Sequence, residues 1–258
     1  IIGAGVATVI AQILAGCFCL YHVLKLKEFM PNSICRDLSY YMNQFRLGIP
    51  MALQNVLIAI GGMVLTSAVN RYGTYFLAGF TAMNKLYGVL EISAVSYGYA
   101  MVTYTGQNYG AGRYDRIKSG VKKVVLLSLA TSILISIILW FFGPFFLSCF
   151  ISNTSQGAKQ AMTYGLTFLR CLTVFLPILY MLHAYRSTIQ GLSNAFIPMV
   201  SGLFELLMRI SGALVLPIFF KKAGLYPVEV LAWIGAVVIL IPSYYHMEKN
   251  FQNVSENS

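Results

Sequence analysis

Apolar residues run through this chain in seven long stretches, with the polar residues gathered between them. Ile1–Leu24 and Leu47–Asn70 contain no Asp, Glu, Lys or Arg. Five further apolar stretches lie at about Leu77–Tyr104, Val121–Phe142, Met162–Gln190, Phe196–Phe220 and Val228–Tyr245. A helix rises about 1.5 Å per residue, so roughly 20 such residues cross the hydrocarbon core of a bilayer. Irregular backbone facing lipid would leave N–H and C=O groups unpaired, so a span is a helix or a closed barrel strand. Stretches this long without strict alternation exclude the barrel. The pattern predicts an all-α, polytopic membrane bundle of about seven transmembrane helices, with the lipid bilayer as its surroundings. The chain opens at Ile1, inside a span and without Met, and crosses an odd number of times. It reads as a fragment of a larger membrane protein.

Composition supports the same class. Charged residues make up 10% of the 258 and hydrophobic ones 58%, far from the balance of a soluble domain. Ile1–Leu24 has no basic start and is too long an apolar run for a signal peptide. A formal charge of +10 would point to nucleic acid in a soluble protein. Here the basic residues sit mainly in loops between spans, so nucleic acid is not an expected partner. One set of alternate loops holds ten of them: Lys25, Lys27, Arg36, Arg46, Arg113, Arg116, Lys118, Lys122, Lys123 and Lys249. The opposite set holds four, Arg71, Lys159, Lys221 and Lys222. Positive loops stay cytoplasmic. The 25–46 connection, the 105–120 loop and the C-terminus are therefore expected inside a plasma (inner) membrane. Lys85, Arg170, Arg186 and Arg209 lie within or near the ends of spans; Arg170 and Arg186, near opposite ends of the fifth, are expected to snorkel.

The sequence suggests neither cofactor nor metal. Cys17, Cys19, Cys35, Cys149 and Cys171 form no CxxC and no Cys/His set, and the three histidines are scattered singly. No Ser/His/Asp or paired-carboxylate arrangement marks an enzyme.

The most distinctive string is Thr105-Gly106-Gln107-Asn108-Tyr109-Gly110-Ala111-Gly112-Arg113-Tyr114-Asp115-Arg116. It leaves a span and enters a basic loop. Its glycines suit a left-handed helix cap and a tight turn, and Arg113 and Arg116 suit a headgroup anchor. A direct substrate contact is the other reading. This string resembles the loop after the second helix of a lobe in the multidrug and toxic compound extrusion (MATE) family. Leu47-Gly48-Ile49-Pro50 resembles that family's entry into the C-terminal lobe. Gln190-Gly191-Leu192-Ser193-Asn194-Ala195-Phe196-Ile197-Pro198 resembles its turn between the fourth and fifth helices of the lobe.

The resemblance implies a division of the chain. Residues 1–24 would be the last helix of an N-terminal lobe that is otherwise missing, 25–46 a cytoplasmic inter-lobe linker with an amphipathic Leu38–Phe45, 47–246 a six-helix C-terminal lobe and 247–258 a cytoplasmic tail. It also implies a secondary antiporter that exports amphipathic, often cationic drugs or metabolites in exchange for H⁺ or Na⁺ by alternating access. Several members carry a Glu in the first helix of this lobe and Asp in the fourth. Here the first reads Gln54-Asn55-Val56 and Met162–Gln190 has no acid. The alternatives are a lipid-linked oligosaccharide flippase of the same superfamily, which calls for a strongly cationic cavity, and a transport-inactive remnant.

Ionisable residues within a bilayer are costly and face a partner or water. Glu91 and Glu205 are the two carboxylates expected there. Ser201, Glu205, Arg209 and Gly212 recur every three or four residues on one face, with Glu205 and Arg209 four apart in the favourable order for pairing. Two roles stand for them: a structural pair, or part of the translocation cavity and its proton coupling. Asn84, Tyr87 and Glu91 share a face of the third span, and Gln54 and Asn55 are candidates for the same cavity.

Overall fold

The computed structural model describes residues 2–25, 38–151 and 157–256. Seven α-helices follow one another: α1 (Ile2–Lys25), α2 (Leu38–Asn70), α3 (Thr74–Gly110), α4 (Tyr114–Ser148), α5 (Ala158–Gly191), α6 (Phe196–Phe220) and α7 (Val228–Glu256). A 3-10 turn over Lys221–Leu225 joins the last two. There is no strand among the described residues. Six of the helices are long and apolar enough to cross a membrane. The seventh, α3, has the length, with 37 residues, but Asn84, Lys85 and Glu91 interrupt its apolar run.

Over the described residues each predicted span lies within a helix, and most helices run past it. α2 starts at Leu38, so the amphipathic Leu38–Phe45 continues into the span, and Pro50 sits inside the helix. α7 runs to Glu256. Residues 26–37 of the expected linker lie outside the described residues.

Residues 1–44 and 45–258 form two compact units. In the first, α1 is exposed along its described length. In the second, α5 is the central helix, packed against α3, α4 and α7, while α6 packs against α7. Lipid tails are as apolar as leucine, so helices here associate through close van der Waals fit and polar contacts. Small residues supply the fit between α3 and α5. A Cβ on Gly79 would lie 2.5 Å from the Ala161 carbonyl oxygen and 2.7 Å from the Gly165 nitrogen. At the other end, a Cβ on Gly191 would lie 2.7 Å from the Thr105 Cβ. The two helices therefore touch along most of their length, which fixes the depth of every polar group they carry.

Candidate functional site

The site grows from one face of α6. Its Ser201, Glu205 and Arg209 are all buried, at 0%, 3% and 5% exposure. Their fourfold spacing stacks them along about 12 Å of helix. Neighbouring helices complete the row. Arg186 of α5 donates through Nη2 to a Glu205 carboxylate oxygen and to Ser201 Oγ, the latter at 3.2 Å. Arg209 Nη2 lies 3.7 Å from the other Glu205 oxygen. Its stronger partner is Glu229 in the first turn of α7, which accepts from Nε at 3.0 Å and from Nη2 at 2.5 Å. A two-bond fork of this kind fixes both distance and plane. Arg209 Nη1 also reaches the Ile58 carbonyl of α2 at 3.4 Å. Gly61, one turn along α2, leaves it room: a Cβ there would lie 2.9 Å from Arg209 Cδ. The expected Glu205–Arg209 contact is thus one link in an alternating series, Arg186, Glu205, Arg209, Glu229.

Arg186 corrects the sequence reading. It is 7% exposed and does not snorkel, because Glu205 on the adjacent helix supplies a buried counter-charge. Arg170, at the other end of α5, is exposed and lies over the Trp140 ring at 5.7 Å from its centroid.

A second polar group adjoins the first. Glu91 of α3 lies 3.6 Å from Nε2 of His183 on α5. It lies within the electrostatic reach of Tyr87, one turn away on the same helix, and of Arg209. Tyr87 in turn is within reach of Glu229 and stacks on Trp233 of α7, with centroids 5.9 Å apart and planes 17° apart.

Glu229 also borders a cavity of about 190 Å³. Phe80, Phe168 and Tyr226 supply aromatic walls, Met83 a sulfur, and Asn84 and Thr66 polar groups. Phe168 packs edge-on against Tyr226 at 4.5 Å and lies 5.2 Å from Phe80, so the walls are mutually braced. A carboxylate beside aromatic faces and sulfur is chemistry that holds a flat organic cation.

The other predicted residues fall elsewhere. Gln54 is buried, 4% exposed, and accepts from Gln190 Nε2 at 3.3 Å, away from the Glu229 cavity. Asn55 is exposed. Around Gly106–Arg116, α3 closes in a left-handed cap with φ +67° at Gly112. The Arg113 nitrogen donates to the Asn108 carbonyl at 2.8 Å and the Gly112 nitrogen to Tyr109 at 3.0 Å, the paired bonds of a Schellman turn. Asn108 Nδ2 holds the Tyr104 carbonyl at 2.8 Å, and Tyr104 reaches the Arg116 carbonyl at 2.9 Å. Gly106, Gln107, Gly110, Arg113 and Arg116 are exposed. Sequence reasoning missed Glu229, His183 and the buried role of Arg186. Glu229 carried a signal, as an acid in a helix first turn, but that position is also favoured by the helix dipole alone.

A family model described as MatE matches residues 50–215. A "Probable multidrug resistance protein YpnP" from Bacillus subtilis (strain 168) is 30% identical over 181 residues, covering 69% of this chain and 39% of that protein. A "Probable multidrug resistance protein YoeA" from the same organism is 23% identical over 261 residues, covering 95% and 54%. The chain thus spans about half the length, or less, of these relatives. Among solved structures, one described as MATE in the straight conformation matches with a TM-score of 0.78 at 17% identity, covering 97% of this chain and 56% of that one. A MOP superfamily transporter from Pyrococcus furiosus Vc1 (DSM3638), reported with a binding pocket of reverse polarity, matches at 0.72 with 19% identity, covering 89% and 50%. At these identities the likeness is one of fold.

Proposed function

The chain belongs to the MatE family, and on that premise we propose that this integral, multi-pass membrane protein supplies one lobe of a secondary transporter. In this reading α2–α7 form the lobe, and small amphipathic cations leave the cell in exchange for H⁺ or Na⁺ as two lobes rock about a cavity at mid-membrane depth. The observation that supports it is the cavity beside Glu229, where a carboxylate meets Phe80, Phe168, Tyr226 and Met83. Its volume of about 190 Å³ is below the roughly 300 Å³ at which complete ligand sites begin. It suits one ring system, with the rest of the ligand resting against the other lobe. The flippase reading is less favoured. Both buried guanidiniums, Arg186 and Arg209, lie among three carboxylates, Glu91, Glu205 and Glu229, so the cluster is not the strongly cationic one that a pyrophosphate calls for.

Proteoliposomes containing the full-length protein test the proposal. Ethidium loaded inside is expected to leave faster when a pH or Na⁺ gradient is imposed, and collapsing the gradient should stop it. Efflux equal to that from protein-free vesicles in every gradient would rule out the transport reading.

The excess of basic residues in alternate loops supports placing the α3–α4 turn and the C-terminal end of α7 in the cytoplasm. In a cysteine-free background, Lys159→Cys should react with an impermeant thiol reagent added to intact cells, and Ser119→Cys should not. The reverse labelling would invert the proposed orientation.

A further inference from the structure

Three of the chain's eight acidic residues, Glu91, Glu205 and Glu229, meet two guanidiniums in this buried cluster. Arg186 and Arg209 balance two of the three carboxylates. Glu91 is left, and the group that faces it is an imidazole, the side chain that changes charge near physiological pH. We propose that the Glu91–His183 pair is a proton-binding site whose occupancy opposes binding of an organic cation in the cavity beside Glu229. The second half of this statement rests on the cavity reading above; the first does not.

With His183 charged, the cluster of three carboxylates, two guanidiniums and one imidazolium is neutral. Releasing that proton to water leaves one excess negative charge. Among the described residues, the groups that act on Glu91 are His183, Tyr87 and Arg209, and Lys85, also on α3, is exposed. α3 presents Tyr87, α5 adds Arg186 one turn beyond His183, α6 brings Arg209 and Glu205, and α7 brings Glu229. α2 carries no charged side chain between Leu47 and Asn70, nor α4 between Val124 and Ser148.

Protons have a way in. The Glu91 side chain is 35% open and that of His183 17%. Within a transmembrane bundle, a carboxylate this open is expected to face a water-filled cavity rather than lipid. The charge change also has a route out. Tyr87 lies within the electrostatic reach of Glu91 and stacks on Trp233, one turn of α7 beyond Glu229, whose carboxylate holds Arg209 and borders the cavity. A cation bound there is favoured by the excess negative charge and disfavoured once the proton returns. By linkage the effect is reciprocal.

Trp233 provides a readout that needs no transport. The full-length protein is labelled with 5-fluorotryptophan, and Trp233→Phe identifies the Trp233 fluorine resonance. Between about pH 5 and pH 8, that resonance should titrate in the wild type. It should be flat in His183→Gln and in Glu91→Gln, with an unchanged Trp140 resonance reporting that each variant is folded. A flat Trp233 resonance in the wild type, or the same titration in either folded variant, would overturn the proton site. So would a shift driven by Na⁺ at fixed pH in place of the titration. For the linkage, the ethidium Kd should rise about fivefold or more from pH 8 to pH 5 in the wild type and less than about twofold in His183→Gln. Equal pH dependence in the variant would overturn it. Absence of ethidium binding at any pH would instead contradict the cavity reading, with the proton site still decided by Trp233.

Discussion

Glu205→Leu is expected to remove about 3–5 kcal/mol of stability, the cost of leaving a buried charge without its partner. Glu205 is 3% exposed and receives both Arg186 and Arg209. The two arginines differ in what they would have left. Arg209 keeps its fork to Glu229, whereas Arg186 keeps only Ser201, and its buried Nε already lacks a partner. The damage therefore centres on Arg186. Replacing both residues, as in Arg186→Met with Glu205→Leu, removes the stranded charge and should recover most of the loss, because apolar side chains of similar volume can substitute for a buried pair at little cost. Arg209→Met should cost less than Glu205→Leu, since Glu205 retains Arg186 and the Glu229 side chain is 19% open to water. Thermal unfolding of the three purified variants in detergent measures this order. A double variant no more stable than Glu205→Leu would mean that Arg186 and Glu205 do not act as a pair.

The fold was largely legible because its main signal is local. A run such as Leu47–Asn70, with no charge in it, has one stable solution in lipid, and each predicted span is helical over its described residues. Helix ends were less legible. Leu38–Phe45 carries polar residues and reads as a connection, yet it continues α2, since nothing in it breaks a helix. α3 is the softest case, because Asn84, Lys85 and Glu91 dilute its apolar run while the close fit at Gly79 and Gly191 holds it against α5.

The candidate site was legible only along single helices. Spacing put Ser201, Glu205 and Arg209 on one face of α6, and their burial agrees with that arrangement. It could not say which residue of another helix would arrive there. Arg186 lies four residues before the end of its predicted span, where a long stem can reach headgroups; a carboxylate from α6 draws it inward. Glu229 and His183 became visible as site residues only when α6 and α7, and α3 and α5, were brought together. The space that Gly61 leaves for a guanidinium likewise depends on tertiary contact.

The proposed cation cavity rests most directly on Glu229. Its carboxylate is the negative group lining a space otherwise walled by aromatic, aliphatic and uncharged polar side chains. Glu229→Gln removes that charge and leaves its partner Arg209 positive and no longer forked to a carboxylate. Losing one partner of a desolvated charge contact costs about 2–5 kcal/mol, so ethidium affinity should fall by at least about tenfold. The measurement is equilibrium binding of ethidium, by fluorescence, to purified wild-type and Glu229→Gln protein at about pH 8, with melting curves to establish that both are folded. A Kd at least about tenfold weaker in the variant is the predicted result. A folded Glu229→Gln protein that binds ethidium within about twofold of the wild type would contradict a cation site in this cavity.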